Sequence, residues 1–219
     1  MKLLAIDTAT ERCSVALLGA GQVVERAAET PRGHADLVLP MVESVLAEAG
    51  MALSDLDGLA YGRGPGAFTG VRIAVGVAQG LAYGAQLPTV GISDLAAVAQ
   101  QFAEPGARIL VCMDARMNEV YWSRFEVTPA GLVTAAAAER VDPPASVEPC
   151  DATVFAGTGF GAYPQLTAGR SGIVHDGALP HARHIALLAA AELQAGRGEP
   201  ADRAKPVYLR DRVATVKLP

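Results

Sequence analysis

The chain has 219 residues, 51% of them apolar and 19% charged, and a formal net charge of -5. That composition fits a packed globular protein of one large or two small domains and excludes a disordered chain. The acidic balance also excludes a protein that grips RNA by itself over a broad basic surface.

The N-terminal half reads as strand, strand, strand, helix, strand, helix, strand, helix. Residues 3–8 (LLAIDT), 13–19 (CSVALLG) and 23–28 are short apolar runs of strand length. From Leu37 the period changes, with Val38, Met41, Val42, Val45, Leu46 and Ala49 at helical spacing. Gly50 closes that helix, and Pro40 belongs in its first turns or kinks it. Residues 58–61 form a strand, followed by the loop Gly62-Arg63-Gly64-Pro65-Gly66-Ala67-Phe68-Thr69-Gly70. Thr69 to Gly84 is a second helix, with Thr69 expected as its cap. Residues 87–92 form a strand, and Ser93 caps a helix running to about Phe102.

From residue 107 the order starts again. Strands are expected at 108–113, 119–127 and 132–137. After the link Asp142-Pro143-Pro144 come a strand at 153–156, a glycine loop and a helix at 182–195. Two echoes support a repeat. Asp7 and Asp114 each end a strand, and GRGPGAF (62–68) matches GTGFGAY (157–163) as G-x-G-x-G-A-aromatic. The chain therefore divides into two related α/β lobes, 1–104 and 105–219.

Cys13, Cys112 and Cys150 lie far apart without a CxxC pair, which indicates neither a zinc site nor a disulfide frame. No signal peptide is expected at Met1-Lys2. No uncharged apolar run reaches the ~18 residues of a membrane span. The longest candidate, 71–85, contains Arg72 and Gln79. A soluble, cytoplasmic protein is expected.

The glycine loop lacks the lysine and Ser/Thr of a P-loop, and its glycines run at i, i+2, i+4 rather than as G-x-G-x-x-G. It reads as a tight strand-to-helix turn needing positive φ or close backbone approach. Helix 69–84 carries two rows of small residues, Gly70-Ala74-Ala78-Ala82 and Gly76-Gly80-Gly84. Each interior glycine costs roughly 1 kcal/mol relative to alanine, so close approach of another helix is needed to offset it. That helix belongs either to the same lobe or to a partner. Neither a G-x-S-x-G elbow nor an HExxH motif is present. His181 and His184 stand i, i+3 without an accompanying carboxylate or cysteine motif.

LLAIDTAT at the start, DLDGLAYGRGPGAFTGVRIAVGVAQGLA at 55–82 and PVYLRDRVA at 206–214 resemble the TsaB (YeaZ) family over nearly the whole chain. One departure is Ala67, where that family more often has serine. The resemblance implies two lobes of the actin/sugar-kinase-like, ribonuclease H-like fold, each a mixed sheet flanked by helices. It implies a non-catalytic subunit that supports a related catalytic protein, TsaD, with the ATPase TsaE. Their joint task is transfer of threonylcarbamoyl from threonylcarbamoyl-AMP, supplied by TsaC, to the adenosine beside the anticodon of tRNA.

The resemblance further implies no cofactor of its own, with ATP or ADP at the complex interface. Asp7, Thr8, Gly64 and Gly66 are the corresponding nucleotide-contact positions. Partner contact is expected at His34, Leu37, Met41, Val45, Thr69, Arg72, Gly76 and Gly80, with a homodimer when the chain is alone. In the catalytic relative a metal-binding H-x-x-x-H pair follows the strand after this helix. Here Asp94 and Val98 stand there, and valine is no metal ligand. The basic residues of the tail from Arg197 on are candidates for tRNA phosphates. The competing reading is a stand-alone ATP-dependent kinase or ATPase using Asp7, Asp114 and both glycine loops.

Overall fold

Alternation along the first strand sets the architecture. In a computed structural model describing residues 1–148, 150–169 and 171–210, β1 (Leu3–Asp7) is buried along its whole length. Successive side chains of a strand point to opposite faces. Leu3 and Ala5 enter one apolar core, and Leu4 and Ile6 enter another. A strand covered on both faces has to be internal, and the first sheet runs β3-β2-β1-β4-β5.

Here β2 is Arg12–Gly19, β3 is Gln22–Glu29, β4 is Gly58–Gly62 and β5 is Thr89–Ile92. β1 pairs antiparallel with β2 and parallel with β4, and β5 continues parallel. The second sheet runs β11-β10-β6-β7-β8, with β6 at Arg108–Asp114, β7 at Val120–Val127, β8 at Val133–Ala135, β10 at Val154–Ala156 and β11 at Ile173–His175. β6 pairs antiparallel with β7 and parallel with β10. The second lobe therefore repeats the first, strand for strand. β9 (Arg140–Asp142) pairs with β7 beside this path.

The outer face of the first sheet is covered by α1 (His34–Ala49) and α2 (Phe68–Ala85). Between the sheets lie α3 (Asp94–Gln100) and α5 (Ala182–Gln194), in one core with residues of both. α5, from the C-terminal half, packs on β1, β2, β4 and β5, whereas α3 packs on β6, β7 and β8. A cut at residue 104 thus separates the sheets but not the helices that cover them. The far face of the second sheet is closed by Trp122, Phe155 and Phe160, with α4 (Gly159–Ala162) over it.

Several local expectations are corrected. Thr69 does not cap α2; the N-cap is Ala67, without a side-chain bond. The Ala67 N–H is tied to the Ala9 carbonyl, which starts the helix a residue early. Pro40 lies in the second turn of α1, in keeping with its expected place. The run at 132–137 shortens to β8, with β9 a separate strand beyond it, and α3 ends at Gln100. Ser93 does cap α3, accepting from the Ala96 N–H at 3.2 Å.

Candidate partner face and interlobe cleft

The small-residue rows of α2 have opposite fates. Gly70, Ala74, Ala78 and Ala82 are buried in their own lobe. A Cβ on Gly70 would overlap the Thr8 carbonyl oxygen, and one on Gly66 the Ala9 carbonyl oxygen. These glycines let the loop and helix lie directly on the turn after β1. Gly76, Gly80 and Gly84 are exposed, and an added Cβ at any of them meets nothing within 4 Å. No packing inside the described chain requires them.

The same exposed side of α2 carries Phe68, 54% exposed, and Tyr83, 76% exposed. Thr69 and Arg72 are exposed there too, with the Arg72 guanidinium 3.3 Å from the centre of the Phe68 ring. On α1, Leu37 and Met41 are half-buried, while Val45 is fully buried and offers no surface to a partner. His34 is held by the Thr10 carbonyl, 2.9 Å from Nε2, which ties α1 to the β1–β2 turn.

A cleft of about 1260 Å³ opens between the lobes, lined by Thr8–Glu11, the start of α2, Met113–Met117 and Thr158. Asp7 does not face it. Its carboxylate is wholly buried, and one oxygen accepts the Ala9 N–H at 2.9 Å. Thr8 donates its hydroxyl to the Gly70 carbonyl at 2.7 Å. Gly64, at φ +98°, is buried and donates its N–H to Asp94 at 2.6 Å. Three donors of this turn and loop, the Thr8 hydroxyl, the Ala9 N–H and the Gly64 N–H, are thus engaged within the lobe. Of the four nucleotide-contact positions, Thr8 and Gly66 line the cleft, whereas Asp7 and Gly64 are buried away from it.

By pattern alone, Asp94 has significance only as a replaced ligand. In the structure it is the fully buried partner of Asp7, across a separation of 87 positions that no local pattern reveals. Burial raises both carboxyls above their ordinary range, Asp94 further because the Asp7 charge lies against it. Val98 is buried in the central core.

Asp114, in contrast to Asp7, lines the cleft and pairs with Arg116 at 3.1 Å. His181 contacts Arg12 and lies 3.4 Å from Glu25, and its ring meets that of His184 edge-on at 6.0 Å. Among the described residues no group of three or more His, Cys, Asp or Glu could hold a metal ion. No helix among them is long and apolar enough to cross a membrane.

Of the basic tail, Arg197 pairs with Glu192 and Arg210 with Glu119. Arg212 and Lys217 lie outside the described residues. Tyr208, within the PVYLRDRVA stretch, stacks on Phe68 at 5.9 Å.

A family model described as "TsaD: tRNA N6-adenosine threonylcarbamoyltransferase" matches residues 21–218. The chain is 43% identical to the Escherichia coli "tRNA threonylcarbamoyladenosine biosynthesis protein TsaB", over 100% of this chain and 99% of that one. It is 39% identical to the Haemophilus influenzae protein of the same name, over 100% and 98%. The solved structure "YeaZ from Pseudomonas aeruginosa" superposes with a TM-score of 0.88 at 46% identity, covering 95% of this chain and 99% of that one. Agreement over the full length, in sequence and in the two-lobed ribonuclease H-like and actin-like architecture, places the chain in the TsaB (YeaZ) family.

Proposed function

We propose that this protein serves tRNA threonylcarbamoyladenosine biosynthesis as a non-catalytic subunit, scaffolding and activating a TsaD-like catalytic relative. The names of its full-length relatives support the pathway. The observation that carries the subunit role is the open row Gly76-Gly80-Gly84 on α2. Glycine inside a helix is destabilising, and nothing within the described chain offsets it. A partner helix brought close to that row would. The TsaD-like subunit is that partner, and a second copy of this chain takes its place when the chain is alone. A TsaE-like ATPase joins the assembly, tRNA is met mainly through the complex, and ATP or ADP sits at the complex interface. The work is cytoplasmic.

The alternative, a stand-alone kinase or ATPase, needs Asp7 and Asp114 to face one reaction space. Only Asp114 lines the cleft, and Asp7 is buried against Asp94.

Reconstitution decides between the readings. Threonylcarbamoyl transfer to tRNA by the TsaD-like and TsaE-like proteins is measured with and without this chain. Transfer that collapses on omission supports the subunit role, and transfer that is unaffected defeats it. The chain alone, with ATP and Mg²⁺, releases phosphate only at background. Robust release abolished by Asp7→Asn establishes the alternative.

A further inference from the structure

We propose that residues 205–210 form a strap across the mouth of the interlobe cleft, latched by one ion pair between Arg210 and Glu119. The strap is anchored at one end on the first lobe. The Lys205 N–H donates to the Tyr61 hydroxyl at 3.1 Å, and the Val207 N–H donates to the Arg63 carbonyl at 2.7 Å. At its other end it is anchored on the second lobe. Arg210 donates from Nε to Glu119 at 3.0 Å and from its terminal nitrogen to the Ala115 carbonyl at 3.1 Å. Between the anchors, Val207, Tyr208 and Leu209 line the cleft, and Tyr208 lies over Phe68 and Arg72.

The latch is shaped to receive it. Ala115 and Glu119 close the turn between β6 and β7, joined by the Ala115 N–H to the Glu119 carbonyl at 3.0 Å. The three residues between them, Arg116, Met117 and Asn118, have φ of 59°, 55° and 60°. Left-handed backbone is unfavourable for Arg and Met, and such strain persists where surrounding structure enforces it. Here the tight turn sets the Glu119 carboxylate and the Ala115 carbonyl side by side for one guanidinium.

The strap itself has no helix or strand structure. A segment held by two backbone N–H bonds, the Tyr208 contacts with Phe68 and Arg72, and the Arg210 bonds to Glu119 and Ala115 belongs to the low-stability end of a fold. The central core joins the lobes behind the cleft regardless of the strap. Release therefore opens the cleft without separating the lobes. The strap belongs to the isolated chain and does not depend on the partner proposed above.

The test compares the full chain with Glu119→Gln, Arg210→Ala and the charge-swapped double variant Glu119→Arg/Arg210→Glu. Each carries Thr158→Cys as a cleft reporter in a Cys150→Ser background. Two rates are read on each protein: hydrogen exchange of the Val207 amide, and labelling of the introduced cleft thiol by N-ethylmaleimide. Both rise about tenfold in each single variant, as expected for loss of one charge-assisted contact. Both return part of the way in the swapped variant, which restores the ion pair but not the bond to the Ala115 carbonyl. Circular dichroism and protection of β1 amides report that the fold is kept. The two single variants act on opposite sides of the latch, so a defect confined to the turn cannot mimic release. Unchanged Val207 exchange in both variants overturns the latch. Faster exchange with unchanged labelling overturns the gating.

Discussion

Asp7, at the end of β1, and Asp94, at the start of α3, form a fully buried carboxyl pair beside Gly62. A Cβ on Gly62 would fall 2.7 Å from an Asp7 oxygen, so only glycine leaves the pair room. One oxygen of each carboxyl has no donor from the surrounding protein. A proton held between the two supplies what is missing, because two adjacent buried charges would repel strongly.

That pair fixes a pH dependence. Asp94 is held well above its ordinary 3.8, first by burial and then by Asp7. A raised carboxyl binds its proton more tightly when folded, so its stabilisation is full below the unfolded value. It is lost as pH rises through the folded value. Asp94→Asn keeps an acceptor for the Gly64 N–H and a donor for Asp7, and cannot ionise. Urea denaturation from pH 4 to 8 should show this variant gaining on the parent as pH rises, whereas parallel curves count against the shared proton. Asp94→Ala orphans the Gly64 N–H and costs about 1–3 kcal/mol.

The exposed glycine row separates folding from assembly. Gly76→Ala and Gly80→Ala meet no atoms within 4 Å and should each stabilise the isolated chain by about 0.5–1 kcal/mol. Gly76→Leu and Gly80→Leu should keep the circular dichroism spectrum and lose co-elution with the TsaD-like subunit. Co-elution that survives both moves the interface elsewhere.

The buried glycines behave oppositely. Gly70→Ala and Gly66→Ala drive a methyl into the Thr8 and Ala9 carbonyl oxygens. Each should cost about 2–4 kcal/mol in denaturant unfolding, since backbone rather than a yielding side chain is in the way. A loss below 0.5 kcal/mol, on the order of a neutral surface change, contradicts the packing described.

His184 gives the acid limb of the stability curve. Burial, then His181 and Arg183, push it down from 6.5 to about 4, against an opposing pull from Glu25. A base held neutral in the fold contributes stability above its unfolded value, lost as pH falls from about 6.5 to 4. Melting temperatures over that window should fall in the parent and stay flatter in His184→Phe. Equal slopes would assign the acid sensitivity to other groups.

The lobe repeat was legible because it is written in local pattern. Asp7 and Asp114 do end equivalent strands, β1 and β6, and the two glycine loops do follow equivalent strands, β4 and β10. The loop glycines were also readable as close-approach residues. Asp94 was not readable as the partner of Asp7, nor Tyr208 as the companion of Phe68, because each pair joins distant segments through packing alone. Val45 was misplaced for a related reason: helical spacing gives a helix its apolar stripe but not how far the core covers that stripe. Thr69 failed as a cap because a tertiary bond, Ala67 N–H to Ala9, outweighed the local capping preference.

By itself, the sequence determined the two lobes, the order of their elements, the family and the small-residue character of α2. These follow from periodicity and turn chemistry, which act over a few residues. Only the tertiary structure decided which row of α2 is buried, that α3 and α5 cross between the lobes, and that Asp7 faces inward rather than into the cleft. It also decided that Arg210 closes on Glu119 instead of standing free. Those outcomes depend on which distant groups exclude water from one another, and no short stretch of chain encodes that.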